Sequence, residues 1–231
     1  MNPLLIPALL VPIWLHFPIA LPTSDFKRGQ ATQVRFAFGH PFEATRIDVK
    51  QPQAWLYPPT GERQALEASA AQDQGAKAWT LSVTPKERGD HLLILAGQPV
   101  EHGRQQLRDW VKLVLPVGGV QRGWDRSLGL DLEIVPLSRP YGLVPGTSFR
   151  FTVHAKGKPL PGAMVEVERL NASAPKILPP EAQITRVEKS DALGNAAATL
   201  DQPGWWIVAV TGPAQEGVHP RASLWVYVGS P

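Results

Sequence analysis

The sequence predicts an all-β protein of two antiparallel β-sandwiches, immunoglobulin or transthyretin-like in type. Three observations lead there. Short runs alternate apolar and polar residues, as in Val34-Arg35-Phe36-Ala37-Phe38 and Leu130-Asp131-Leu132-Glu133-Ile134, with the period of a half-buried strand. Turn residues interrupt these runs roughly every eight to twelve positions, the spacing of sandwich strands. The 24 prolines and 20 glycines are spread along the chain rather than clustered, while 43% apolar content and eight tryptophans supply a core.

Taken in order, residues 1–15 (MNPLLIPALLVPIWL) carry no charge and three prolines. They are too short and too proline-rich for a membrane span, so they are read as a secretory signal, with export to the periplasm or outside as the consequence. Residues 16–22 form an extended edge segment kept from helix by Pro18 and Pro22. The strand at 34–40 follows, stopped by Pro41, which has no backbone donor. A weaker alternation through Ile47 and Val49 leads to Trp55-Leu56-Tyr57, closed by Pro58-Pro59-Thr60-Gly61. Residues 62–77 read as a loop or hairpin arm. Strands are expected at 78–83, at 91–95 after the Arg88-Gly89-Asp90 turn, and at 109–117, completing a first sandwich over 16–117.

Residues 118–129 (GGVQRGWDRSLG) are glycine-rich and mark the boundary. The second sandwich, within 130–231, takes strands at 130–137, 148–154, 163–170, 196–200, 204–210 and 223–228. A short piece at 185–188 is expected to pair with 163–170. Trp205 and Trp206 are adjacent on a strand, so they face opposite sides and one of the pair is the better candidate for an interface. Most of the other strand tryptophans are expected in the core.

Charge excludes some functions. There are 23 Lys plus Arg against 20 Asp plus Glu, and no basic run is interleaved with aromatics, so nucleic acid is excluded as a partner. The absence of cysteine removes disulfides, thiolate zinc sites and thiol catalysis. No GxSxG elbow, phosphate-binding glycine loop or HExxH helix is present, and the chain is read as a non-enzyme.

The histidines offer more. His16, His40 and His91 fall at the ends or starts of expected strands in the first sandwich, and Glu43 follows His40 by three residues. His102 sits in a polar loop beside Glu101. A hydrogen-bonded structural histidine is the ordinary reading of each one alone. Three imidazoles brought together by a sandwich would suit a borderline transition metal. A cut before His16 would add its α-amine to its ring as a chelating pair.

Several segments then resemble one family in the same order along the chain. They are His16-Phe17 with Pro22, Phe38-Gly39-His40-Pro41-Phe42-Glu43, Gly89-Asp90-His91, and Gly123-Trp124. The series continues with the stretch from Glu133 to Leu143 (EIVPLSRPYGL), Gly157-Lys158-Pro159-Leu160-Pro161-Gly162-Ala163 and Gly204-Trp205-Trp206. The chain is similar over about residues 16–228 to the exported accessory component of nickel and cobalt uptake systems, whose members carry a domain of unknown function. The resemblance implies a periplasmic protein that captures Ni²⁺ or Co²⁺ as cargo and delivers it to a membrane importer of the energy-coupling-factor type. It implies His16, His40 and His91 as ligands, with Glu43 a fourth ligand or a supporting partner. An exported structural or carbohydrate-binding sandwich, acting through exposed tryptophans, is the competing expectation.

Overall fold

The computed structural model describes residues 16–102 and 105–230. The signal segment at 1–15 and the side chain of His102 lie outside the described residues. Three sheets are stacked. An outer sheet holds β1 (Phe17–Pro22), β2 (Thr32–Gly39), β5 (Ala68–Asp73) and β6 (Ala76–Val83), in the order β1-β2-β6-β5. The central sheet takes β3 (Gln53–Tyr57), β4 (Gln64–Leu66), β7 (Gly89–Ala96), β8 (Val100–His102) and β9 (Gln105–Val117) from the first half of the chain. From the second half it takes β13 (Met164–Arg169), β14 (Arg186–Lys189), β16 (Gly204–Thr211) and β17 (Val218–Val228). The third sheet holds β10 (Leu132–Pro136), β11 (Thr147–Ala155), β12 (Lys158–Pro159) and β15 (Asn195–Leu200). One helical turn, α1 (Glu181–Ile184), precedes β14.

The arrangement is sandwich-like, but the two layers of packing share one middle sheet built from both halves of the chain. Its nine strands run β14-β13-β16-β17-β9-β7-β3-β4, with β8 added on β9. The two halves meet where β17 pairs in parallel with β9, Trp225 opposite Leu113 and Ala222 opposite Trp110. A sheet covered on both faces needs apolar residues on both, so its strands read as continuous hydrophobic runs rather than alternations. β7 is buried at every position. Leu93 and Leu95 enter the core under the outer sheet with Val34, Phe36, Leu81 and Trp225. Leu92 enters the opposite core with Phe149, Phe151, Val208 and Leu224.

Residues 62–77, read as a loop or hairpin arm, hold β4 and β5, and β5 forms a hairpin with β6, which covers the strand expected at 78–83. The hairpin's two-residue loop is Gln74 (φ 49°) and Gly75 (φ 83°), the left-handed pair that a tight hairpin turn requires. Of the tryptophans among the described residues, Trp206 and Trp225 are buried, whereas Trp55, Trp79, Trp110, Trp124 and Trp205 are half-buried. The expected core role thus holds fully for two, and the other five keep part of their rings in contact with water.

Residues 118–129 run irregularly between β9 and β10 and are pinned by one carboxylate. Glu133, in the third sheet, accepts from the Leu128 amide at 2.9 Å, the Gly129 amide at 3.1 Å and the Ser127 hydroxyl at 2.9 Å. The same carboxylate meets the Lys112 ammonium of β9, and both side chains are buried. A buried ion pair persists only when its remaining lone pairs are satisfied, and the linker amides supply those bonds.

Candidate metal centre

β2 ends at Gly39 because the chain turns back on itself there. A Cβ on Gly39 would lie 2.0 Å from the Thr45 carbonyl oxygen, so no larger residue fits without moving the turn. Pro41 opens that turn, Ala44 closes it with φ 55°, and the Ile47 amide bonds back to the Phe38 carbonyl at 2.9 Å. The FGHPFE segment is thus a reversal that delivers the His40 ring inward, 1% exposed.

What receives it comes from the other half of the chain. Glu168 of β13 is fully buried and faces the core under the outer sheet. Its Oε1 accepts from the Phe42 amide at 2.7 Å and its Oε2 from the Thr185 hydroxyl at 2.9 Å. His40 Nδ1 lies 3.3 Å from the same Oε1, an ion-pair contact rather than an aligned hydrogen bond. Asn171 completes the junction, its amide donating to the Pro41 carbonyl at 3.1 Å and its side chain to the Phe42 carbonyl at 2.6 Å.

Burial opposes a charged imidazole at His40, but Glu168 outweighs it, and Glu43 and Glu181 add to the same side, so the His40 pKa is raised above its ordinary value. The His16 ring stands edge-on to His40 with centroids 6.1 Å apart and stacks on the Phe38 ring at 6.3 Å. Two imidazoles sharing one ion, each bond near 2.1 Å, place their centroids roughly 5–6 Å apart. His16 and His40 stand at about that separation. With Glu168 on the Nδ1 side of His40, Nε2 is the nitrogen left for a metal, the carboxylate–histidine arrangement by which proteins orient such ligands.

The other expected ligands lie elsewhere or act otherwise. Glu43, half-buried in the turn, reaches His40 through its charge and not through contact. His91 sits inside β7, with Nδ1 3.4 Å from the Gly89 carbonyl, and burial lowers its pKa. Glu168, Ile207, Trp225, Leu113 and Leu93 stand opposite one another along the ladders, so His91 lies four strands from Glu168. At a strand spacing of about 4.8 Å that is on the order of 19 Å. The charges acting on His91 are those of Glu87 and Arg126, shared with none of those acting on His40. The structure therefore brings His16 and His40 together and leaves His91 apart. Among the described residues no three His, Asp or Glu side chains form a ready-made ligand cluster.

Glu168 is what sequence reasoning missed. In Met164-Val165-Glu166-Val167-Glu168 the glutamates alternate with valines, which reads as a solvent face. Only the covering of that face by residues from the far end of the chain makes it a buried one.

No helix among the described residues is long and apolar enough to cross a membrane. No curated protein matches the sequence. Among solved structures, the chain is similar to a DUF4785-family protein from Legionella pneumophila subsp. pneumophila str. Philadelphia 1, at 12% identity and TM-score 0.35, covering 85% of this chain and 51% of that one. It is also similar to a Ca²⁺-stabilized adhesin of an Antarctic bacterium, at 10% identity and TM-score 0.29, covering 94% and 48%. The chain thus spans about half the length of each. Likeness this distant says nothing of function. A family model, in contrast, matches residues 15–214, and the chain belongs to the family described as domain of unknown function DUF4198.

Proposed function

We propose that this chain is an exported binding protein that captures a nickel or cobalt ion at His16 and His40 and passes it to a membrane importer of the energy-coupling-factor type. One observation carries the reading: His40 is backed on Nδ1 by a buried carboxylate while a second imidazole stands at ion-sharing distance. Imidazole nitrogen suits nickel and cobalt better than it suits magnesium or calcium. Two protein ligands leave positions for water or for a receiving ligand, which favours uptake and release over permanent retention. Cleavage immediately before His16 would add an α-amine to the same ion. Nothing in this site performs bond chemistry; its role is ligand exchange.

Proton competition has a definite sign here. A metal needs the lone pair that a proton would take, and Glu168 raises the His40 pKa above 6.5. Affinity therefore begins to fall at a higher pH than it would for an unperturbed ring with its pKa near about 6.5. Calorimetric titration with Ni²⁺, Co²⁺ and Zn²⁺ over pH 5.5–8 checks this. The expected result is one ion per chain, lost in His40→Ala, retained in His91→Ala, and weakening from near neutrality downward. Absence of binding by all three ions, or binding that survives His40→Ala and disappears in His91→Ala, would refute the site.

A further inference from the structure

A second site lies on the same face of the central sheet, beyond the reach of the outer layer. β1 stops at Pro22, while β16 and β17 extend further and present Trp205 and Tyr227 directly opposite each other. Their rings lie 5.2 Å apart at 55°, and Tyr227 is 48% exposed. Trp205 is thus the outward member of its pair, since Trp206 is buried in the other core with its indole nitrogen donating to the Gln202 carbonyl at 2.9 Å. Phe26, from the loop after β1, and Tyr141, from the SRPYG loop, line the same space. The cavity is about 230 Å³ and open on one side. Its floor includes Trp225, and Pro22, Pro116 and Pro140 shape its sides.

The chemistry of these walls selects a ligand. Five aromatic rings line the space, and the one charged residue among its walls is Asp25, a carboxylate at the rim. Ring faces carry negative electrostatic potential and attract cations that shed water easily. One such ring already does so: the Arg139 guanidinium stands 5.3 Å over Tyr141. A sugar would need a partner for each hydroxyl, and besides ring hydroxyls and indole N–H the walls provide only Ser24 and Asp25. An anion would meet Asp25 and no cationic wall. The volume falls below the ~300–1,000 Å³ of pockets for drug-sized molecules, so the ligand is small.

We propose that this cavity binds a small organic cation of the quaternary-ammonium type, its alkylated head among Trp205, Tyr227, Tyr141 and Phe26 and its charge answered by Asp25. The proposal is independent of the metal site. Choline chloride, titrated against the protein's indole fluorescence, is the direct probe. Saturable binding is expected, with a Kd on the order of 0.1–1 mM. The neutral isostere of choline, in which a tert-butyl group replaces trimethylammonium, should bind about tenfold more weakly, the scale of a cation–π contribution. Trp205→Ala should weaken choline binding by about tenfold, and Asp25→Asn by about two- to fivefold, the scale of an exposed charge pair. Asp25 is solvent-exposed, so its variant separates loss of binding from loss of fold. No saturation with choline, equal affinity for the isostere, preferential binding of glucose or maltose, or unchanged affinity in both variants would overturn the proposal.

Discussion

Glu168→Ala is expected to destabilise the protein by about 3 kcal/mol, because the half-buried Phe42 amide loses its acceptor and the buried Thr185 hydroxyl keeps only a long 3.4 Å contact to Glu181. His40 adds little to that cost, since without its counter-charge the ring can release its proton. For a chain of this size the thermal midpoint should fall by on the order of 10 °C, read by circular dichroism. Glu168→Gln keeps the shape and an acceptor but removes the charge. It should remain folded and bind metal about ten- to a hundredfold more weakly, the usual consequence of losing the group that orients a histidine ligand. A loss below about 1 kcal/mol in the alanine variant would show that Glu168 does not hold the two halves together at this point.

The second large effect is expected at the other buried pair. Glu133→Ala strands the Lys112 ammonium in the interior and frees three donors of the 127–129 segment. Removing one partner of a buried pair typically costs about 3–5 kcal/mol. Burial already holds the Lys112 pKa below its ordinary range despite Glu133, so loss of Glu133 removes the charge that opposes the burial penalty and lowers it further. Replacing Lys112 by methionine in the same chain should therefore recover part of the loss, and a double-mutant cycle in urea measures how much. Strict additivity of the two single variants would mean that the pair does not act as a unit.

How much of this was legible in the sequence depended on whether local pattern carried it. The strand at 34–39, the stop at Pro41, the irregular 118–129 segment and the pairing of 186–189 with 164–167 all follow from alternation and turn chemistry, which are local. The shared central sheet does not. β9 and β17 are separated by about a hundred residues and pair in parallel, and nothing in Asp109-Trp110-Val111 or Arg221-Ala222-Ser223 marks the other as its neighbour. Asp109 and Arg221 reveal the contact only once they are opposite each other, with Arg221 Nε donating to Asp109 at 2.6 Å.

The candidate site divides in the same way. His16 and His40 were legible because β1 pairs with β2 so that Phe17 faces Gly39, bringing the flanking histidines together. His91 was misplaced because position at a strand terminus says nothing about which of nine strands lies beside it. Glu43 was chosen for proximity in sequence, whereas the carboxylate in contact with His40 is Glu168, 128 residues away in sequence.

The central claim is a pair of imidazoles on one ion, and X-ray absorption at the nickel edge of the loaded protein tests it most directly. The account predicts two histidine nitrogens at about 2.1 Å, falling to one or to no bound metal in His40→Ala and unchanged in His91→Ala. A spectrum without imidazole scattering, or with a histidine contribution that disappears only in His91→Ala, would contradict it.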